Sequence, residues 1–256
     1  MEPSIYLPWA ARVAAATRPG QGRGEGAPAP ESERNGNSMI DFETCRRNMV
    51  DNQLRPNKVT DARVIAAMGA VPREKFVGDS LRGVSYVDED IPLGDGRVLM
   101  EPMVLARLLQ AAEIGRDDVV LDIGCGTGYT AAVCAKIAAT VVALESDPRL
   151  AADAGRILSE LEIDNVVAVE GPLAAGYPEQ APYDVILFSG AVQEIPEAIL
   201  GQLGDNGRLC AVVAKPGAAP RAVLARNYGG VTSTVKIFDA SIPLLPGFER
   251  EPGFVF

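Results

Sequence analysis

The most informative absence in this chain is histidine, of which its 256 residues contain none. Without an imidazole, no Ser-His-Asp triad, histidine-ligated metal centre or histidine general base can form. Long apolar runs are also missing, since none approaches the roughly 18 to 20 residues of a membrane-spanning helix. The chain is therefore expected to bind no metal, to have no membrane partner and to carry out any chemistry without an imidazole.

Positive charge and cysteine are both scarce. The 34 acidic residues outnumber the 24 lysines and arginines, which gives a formal charge of −10 and disfavours broad electrostatic capture of nucleic acid. The four cysteines are Cys45, Cys125, Cys134 and Cys210. Because they are scattered, a disulfide framework or zinc cluster is not expected. These features predict a reduced, cytoplasmic protein with no nucleic-acid partner.

The first 38 residues differ in composition from the rest. Ala, Pro, Gly and Arg dominate residues 1–38 without periodicity, which predicts a disordered extension. A targeting segment is the alternative, although the acidic residues and the lack of a long apolar stretch argue against a secretory signal. Patterned sequence begins at Met39, which is a candidate true start. Residues 39–256 are expected to form one domain, with a helical cover over 39–112 and a ligand-binding core over 113–256.

Apolar strand-like runs alternate with helical patterns along the core. Strands are predicted at 119–123, 140–145, 166–169, 184–188 and 208–214, and helices at 128–138, 148–161 and 196–203. Further helices are predicted at 41–54 and at 102–112, with another between them that is capped by Thr60. Residues 222–226 and 231–237 flank Gly229-Gly230, a hairpin turn pair. The pattern predicts an α/β fold: a doubly wound, mostly parallel, seven-stranded Rossmann-like sheet that ends in an antiparallel hairpin.

A glycine loop follows the first of these core strands. The loop contains Gly124, Gly126 and Gly128, which lack a Cβ and let the backbone approach a ligand closely. Its third glycine stands one position earlier than in the dinucleotide fingerprint, and Asp122 precedes the first. A carboxylate there would repel a pyrophosphate but suits a cation, and S-adenosylmethionine carries both an ammonium and a sulfonium. The loop therefore predicts a site for this methyl donor.

Other residues near the loop are also assigned to the donor site. Cys125 and Tyr129 are candidates by position, although a loop filler and a packing group are the simpler interpretations. Glu145 ends the next strand, about 20 residues beyond the loop, where an acid can accept hydrogen bonds from ribose hydroxyls. The alternative is that Glu145 caps the helix near Pro148, a role also open to Ser146 or Asp147.

Short segments lie ahead of the loop at 49–50, 53–54, 61–68, 71–77, 86–88 and 92–94, and after it at 181–184, 195–196, 202–203 and 207–209. Together with the loop, these segments resemble the protein-L-isoaspartate O-methyltransferase family of class I S-adenosylmethionine-dependent methyltransferases. The resemblance spans roughly 39–250 and implies a methyltransferase sheet with an N-terminal helical addition. It also implies a protein-repair reaction, in which S-adenosylmethionine methylates the free carboxylate of an isoaspartyl residue in a damaged protein or peptide. A monomer is expected.

The missing histidines are compatible with that reaction. A carboxylate has a reference pKa of about 4, so at neutral pH it needs no base before it attacks a methyl carbon. A dry site that aligns the carboxylate with the sulfonium would accelerate transfer. The turn-rich stretch 77–101 is a candidate to cover such a site.

The first departure from the family pattern lies in the acceptor segment. The family carries Gly-Gln-Thr-Ile-Ser-Gln-Pro where residues 96–102 read Gly-Arg-Val-Leu-Met-Glu-Pro, so Val98 and Met100 lack the expected hydroxyls. Arg97 is a candidate to bind the acceptor carboxylate bidentately in their place. The alternative is a surface ion pair between Arg97 and Glu101.

Two further departures lie beyond the third and fourth core strands. Gly171-Pro172-Leu173 stands where the family has Gly-Asp-Gly, which removes the acid expected at the adenine. Glu170 and Gly171 are the candidates for this contact, with Glu170 one residue out of register. Ser189 retains a hydroxyl where the family has threonine. Arg97 and Ser189 are therefore the candidate catalytic residues.

Four functions remain open at this point. The first is an active isoaspartyl methyltransferase, and the second is a related methyltransferase with another acceptor. The third is a donor-binding or scaffold protein whose acceptor site has decayed. The fourth is a nicotinamide oxidoreductase, which Asp122 and Tyr129 disfavour.

Overall fold

The computed structural model describes residues 40–249. The predicted disordered extension over 1–38 and the candidate start at Met39 lie outside this range. The helices are α1 (Phe42–Met49), α2 (Ala62–Ala70), α3 (Pro102–Ala112), α4 (Tyr129–Ala135), α5 (Pro148–Glu160) and α6 (Glu197–Leu200). The strands are β1 (Ile91–Gly94), β2 (Arg97–Leu99), β3 (Val119–Ile123), β4 (Thr140–Glu145), β5 (Val166–Glu170), β6 (Tyr183–Val192), β7 (Leu203–Val213), β8 (Arg221–Tyr228) and β9 (Val231–Asp239).

The main sheet has seven strands in the order β5-β4-β3-β6-β7-β8-β9. Strands β3 to β7 pair in parallel, and β8 and β9 pair antiparallel at one edge. The predicted doubly wound sheet with its terminal hairpin is thereby confirmed. Parallel strands are buried on both faces, which explains the continuous apolar runs in β3 and β4. Val120 and Leu121 accordingly pack into separate apolar clusters, since neighbouring side chains on a strand point to opposite faces.

The N-terminal addition is helical, as predicted, but its boundaries differ. Helix α1 is capped by Asp41, which accepts from the Thr44 amide, and it continues as a π-helical turn over Val50–Leu54. Helix α2 is capped by Asp61 rather than by Thr60, so that detail of the prediction was wrong. The Asp61 carboxylate accepts from the Arg63 amide at 2.8 Å, whereas the Thr60 hydroxyl lies near the Gln110 amide oxygen.

Remote contacts lengthen β6 and shorten the predicted helix at 196–203. The Ala191 amide donates to Pro243, and the Leu245 amide donates back to Ala191, each at 2.8 Å. This pairing with the C-terminal segment extends β6 to Val192, beyond its predicted end. Helix α6 stops at Leu200 because the chain already enters β7 at Leu203.

A small two-stranded sheet lies in the turn-rich stretch before α3. Strands β1 and β2 pair antiparallel, and neither was predicted as a strand. Asp95 and Gly96 form the turn with positive φ angles of 49° and 75°. Within residues 40–249, no helix combines the length and apolar character that crossing a membrane requires.

Candidate active site

The glycine loop turns from the end of β3 into α4. Gly124, Gly126 and Gly128 have φ angles of +76°, +58° and +93°, a region that side chains with a Cβ rarely adopt. The Gly124 amide donates to the carbonyl of Leu144 at 2.8 Å, which fixes the loop against β4. The loop therefore presents bare backbone at the carboxyl end of the sheet, where ligands of doubly wound folds bind.

Glu145 is fully buried at the end of β4 and faces this loop. Its Oε2 accepts from the Gly126 amide at 2.7 Å, and its Oε1 accepts from the amides of Ser146 and Asp147. The cap of α5 is Asp147, whose carboxylate accepts from the Arg149 amide at 2.8 Å. The structure therefore places the Glu145 carboxylate on the glycine loop and assigns the capping role to Asp147.

Arg97 reaches the same place from β2. Its side chain is 4% exposed, and its Nη1 donates to Glu145 Oε1 at 2.5 Å. Its Nη2 donates to the carbonyl of Gly124 at 2.7 Å. The alternative of a surface pair with Glu101 is therefore wrong, because the alternation of β2 turns Arg97 inward, on the same side as Leu99. Its role towards an acceptor remains a prediction, and its guanidinium lies between Glu145 and the glycine loop.

Asp122 and Ser189 meet beneath the loop. Ser189 Oγ donates to Asp122 Oδ1 at 2.7 Å, and the hydroxyl of Thr130 lies 2.9 Å from Ser189 Oγ. Asp122 Oδ2 is buried without a hydrogen-bond partner. Desolvation raises the pKa of Asp122 to about 7. The hydrogen bond from Ser189 opposes this rise, and the charge of Glu145 adds to it. An orphaned carboxylate oxygen of this kind fits a cationic ligand.

The remaining residues predicted to bind the methyl donor lie either at the rim of the site or in packed positions. Glu170 pairs in register with Glu145 but is exposed, so it stands at the rim of the site. The Gly171 amide donates to the Glu145 carbonyl at 2.9 Å. Cys125 is buried in the loop, where desolvation raises the pKa of its thiol well above the ordinary value. Tyr129 is fully buried, with its ring 5.4 Å from that of Phe76 in an edge-on arrangement.

Two apolar side chains lie over the loop from remote segments. A Cβ on Gly126 would lie 2.9 Å from Leu93 of β1, and one on Gly124 would lie 2.6 Å from Leu245 of the C-terminal segment. Leu245 also lies against Gly190 at the end of β6. The turn-rich stretch therefore does cover the loop, but sequence reasoning missed the contribution of Leu245 because its pairing partner is more than 50 residues away.

Arg73 holds the segment 96–102 in place, a role that was not predicted from the sequence. Arg73 is fully buried, with Nε donating to the Ser85 carbonyl and Nη2 donating to the Met100 carbonyl at 2.7 and 2.6 Å. Its guanidinium also lies 4.9 Å from the ring centre of Tyr129. No local signal marks Arg73 in the sequence, because Glu74 and Lys75 follow it and three adjacent charges are typical of an exposed turn.

Acidic side chains surround the start of α3, next to the segment 96–102. Asp90 accepts from the Glu101 amide at 2.8 Å, and Asp88 accepts from the Met103 amide at the start of α3. Partial burial, followed by the charges of Asp90 and Asp88, raises the pKa of Glu101 to about 7. In the described part of the chain, no group of three or more acidic or thiol side chains is placed to hold a metal ion.

The sheet order, the glycine loop after β3 and the buried acid ending β4 together define a Rossmann-like protein of the class I methyltransferase type. Comparison with known proteins narrows this class. A model of the family described as Protein-L-isoaspartate(D-aspartate) O-methyltransferase (PCMT) matches residues 45–237. The chain belongs to this family.

Individual relatives agree with the family match. A protein-L-isoaspartate O-methyltransferase of Methanoculleus marisnigri is 40% identical over 177 residues, which cover 68% of this chain and 80% of the relative. A solved protein-L-isoaspartate O-methyltransferase superposes with a TM-score of 0.71 at 26% identity, covering 80% of this chain and 66% of the other. A beta-aspartate methyltransferase from Plasmodium falciparum, solved with S-adenosyl-L-homocysteine, gives a TM-score of 0.66 at 19% identity, covering 81% and 99%. This last likeness concerns the fold.

Proposed function

We propose that this protein is an S-adenosylmethionine-dependent O-methyltransferase that methylates the free carboxylate of isoaspartyl residues in damaged proteins or peptides. The observation that carries the proposal is the buried Glu145 carboxylate, which accepts from Gly126 in the glycine loop of a chain that belongs to this family. The relatives named above carry the same activity in their names.

The residues around the loop fit the methyl donor. The glycines carry no Cβ, so the side chains of Leu93, Leu245 and Arg97 lie close over the loop backbone. Glu145 would hold the ribose hydroxyls, and the unpartnered Asp122 Oδ2 suits the ammonium. Glu170 and Gly171 are proposed to contact the adenine. When bound, the donor supplies an electrophilic methyl group, whose bond to sulfur breaks as the acceptor oxygen bonds to the carbon, leaving neutral S-adenosylhomocysteine.

The protein's contribution to such a transfer is orientation and exclusion of water. An isoaspartyl carboxylate is ionised at neutral pH and requires no general base, which agrees with the absence of histidine. Leu93 and Leu245 keep water from the loop, and desolvation strengthens the attraction between carboxylate and sulfonium. We assign the acceptor carboxylate to Arg97, once its guanidinium is free of Glu145. Ser189 acts as a positioning residue that holds Asp122.

The experiment has two stages. Calorimetry with S-adenosylhomocysteine is expected to show saturable binding. Radiolabelled S-adenosylmethionine is then expected to label an isoaspartyl peptide but not the same peptide with ordinary aspartate. Failure to bind S-adenosylhomocysteine would refute the donor site and the enzyme assignment together. Binding of S-adenosylhomocysteine without labelling of the isoaspartyl peptide would refute only the assignment of the acceptor.

The proposal extends to the state of the protein in the cell. We propose that it acts as a cytoplasmic monomer on protein substrates, and its charge of −10 opposes binding to nucleic acid and to anionic membranes. Sedimentation of the purified protein at micromolar concentration checks the monomer, and a dimer at that concentration would contradict it.

A further inference from the structure

The Arg97 guanidinium makes the contacts that a cationic, hydroxyl-bearing donor would need. It donates to Glu145 Oε1 at 2.5 Å and to the Gly124 carbonyl at 2.7 Å. The first acceptor is the carboxylate assigned to the ribose, and the second is a carbonyl of the glycine loop itself. A Cβ on Gly124 would lie 3.1 Å from Arg97 Nη2, so the guanidinium lies directly against the bare backbone of the loop.

We propose that Arg97 and the methyl donor exclude one another: in the free protein Arg97 occupies the Glu145 and Gly124 contacts, and it must leave them before the donor binds. This inference rests on the proposed function, since it concerns the same site. It adds a residue that sets the affinity for the donor and the order in which the two substrates bind.

The exchange leaves the oxygens of Glu145 with hydrogen-bond donors. When Arg97 departs, Glu145 still accepts from the amides of Gly126, Ser146 and Asp147. The ribose hydroxyls of the incoming donor would replace the hydrogen bond from Arg97 to Glu145, although not its charge. The Coulombic gain of a buried ion pair is largely offset by desolvation, so losing the guanidinium costs less than its short contact suggests.

The position of Arg97 in the fold allows this movement. It belongs to a three-residue strand in the small sheet, not to the seven-stranded sheet. The adjacent turn is exposed, with the Asp95 side chain 84% accessible. Withdrawing the guanidinium therefore breaks no hydrogen bond of the main sheet.

The exclusion implies ordered binding. While Arg97 is held by Glu145, its guanidinium is not free to bind an acceptor carboxylate. Donor entry releases it, so the acceptor gains its cationic partner only after the donor is in place. By linkage, a bound acceptor that holds Arg97 should strengthen donor binding by the same factor.

Chemical labelling of arginines in the wild-type protein tests the release directly. Phenylglyoxal modification, read by peptide mass spectrometry, is expected to rise several-fold at Arg97 when S-adenosylhomocysteine is added. Arg73, which is fully buried, should stay protected in both states, and the exposed Arg156 should react in both. Saturable binding of S-adenosylhomocysteine with unchanged or reduced labelling of Arg97 would overturn the exclusion and leave the proposed function standing.

A matched pair of variants tests the competition. Arg97→Gln is expected to bind S-adenosylhomocysteine more tightly than wild type, by roughly tenfold if about a tenth of the free protein has the site open. Arg149→Gln removes the same charge from a side chain that lies against Gly94 of the same hairpin, and should leave affinity unchanged. Equal or weaker binding by Arg97→Gln would overturn the exclusion alone. If neither wild type nor Arg97→Gln binds, the donor assignment itself fails.

Discussion

Glu145 and Arg97 form a buried ion pair, and its effect on stability depends on both partners being present. The Glu145 side chain is fully buried and that of Arg97 is 4% exposed. Removing one member of such a pair leaves an uncompensated charge in the interior, which typically costs about 3–5 kcal/mol. Removing both leaves no charge behind.

We therefore expect Arg97→Ala to lower the free energy of unfolding by more than the double variant Arg97→Ala/Glu145→Ala does. The single variant leaves the buried carboxylate of Glu145 without its cation, and the double variant removes both charges, so the two substitutions are non-additive. Urea unfolding of wild type, both single variants and the double variant measures the coupling. Additive effects of the two substitutions would show that the pair is not coupled inside the folded protein.

Asp122 should make the stability of the protein depend on pH. Its pKa is raised from an ordinary value of 3.8 to about 7, mainly by desolvation. As pH rises from about 4 to about 7, the unfolded chain loses this proton before the folded protein does, so the free energy of unfolding falls. At roughly 1.4 kcal/mol per pKa unit, the loss is a few kcal/mol, and it is complete above the folded pKa.

Asp122→Asn removes this titration and should flatten the decline. The advantage of the variant over wild type is expected to grow between pH 5 and 8, as measured by urea unfolding at both values. Glu101, whose pKa is also raised to about 7, will keep part of the decline in the variant. Parallel pH profiles for the two proteins would mean that Asp122 is ionised in the folded state throughout this range.

At the scale of elements, the glycine loop is a backbone conformation that only glycine adopts readily. Gly126 has φ of +58°, where a Cβ costs about 1–2 kcal/mol, and the added methyl would also meet Leu93 at 2.9 Å. We expect Gly126→Ala to destabilise the protein and to abolish detectable binding of S-adenosylhomocysteine, because the methyl fills the ligand's space.

Gly155→Ala is the matched control for the glycine loop. Gly155 lies within α5, with nothing within 4 Å of an added Cβ. Alanine in a helix interior is favoured over glycine by roughly 0.5–1 kcal/mol, so this variant should be stabilised with unchanged binding. Thermal unfolding and calorimetry compare the two variants. The same sign of effect at both sites would show that the positive φ of the loop carries no strain.

The elements that sequence alone predicted are those with a strong local pattern. The bounds predicted for β3, β4 and α3 are those observed, because continuous apolar runs and helical periodicity are properties of each segment by itself. The ends of β6 were not predictable in this way, since Ala191 pairs with a segment more than 50 residues away. The contact between Arg97 and Glu145 was not predictable for the same reason, because the two residues meet only after the hairpin has folded over the loop.

At the scale of the whole molecule, the site is assembled from segments spread along nearly the full described chain. The β1–β2 hairpin supplies Arg97 and Leu93, the core strands supply Asp122 and Glu145, and the C-terminal segment supplies Leu245. Catalytic geometry therefore depends on the complete fold and not on any one element, which is why local variants such as Gly126→Ala are expected to affect stability and binding together.

The overall charge should decide which damaged peptides bind best. With a charge of −10, the protein attracts cationic segments and repels acidic ones, and the acidic groups Asp88, Asp90 and Glu101 cluster at the start of α3. Two isoaspartyl peptides that differ only in lysine or glutamate flanking residues should differ in KM, with the lysine peptide lower at low ionic strength. Salt at about 0.5 M shortens the screening length to a few ångströms, so the difference should largely disappear. Methylation kinetics of both peptides at low and high salt measure this difference. A preference for the glutamate peptide would mean that a local cation, such as Arg97 in its proposed role, outweighs the field of the whole protein.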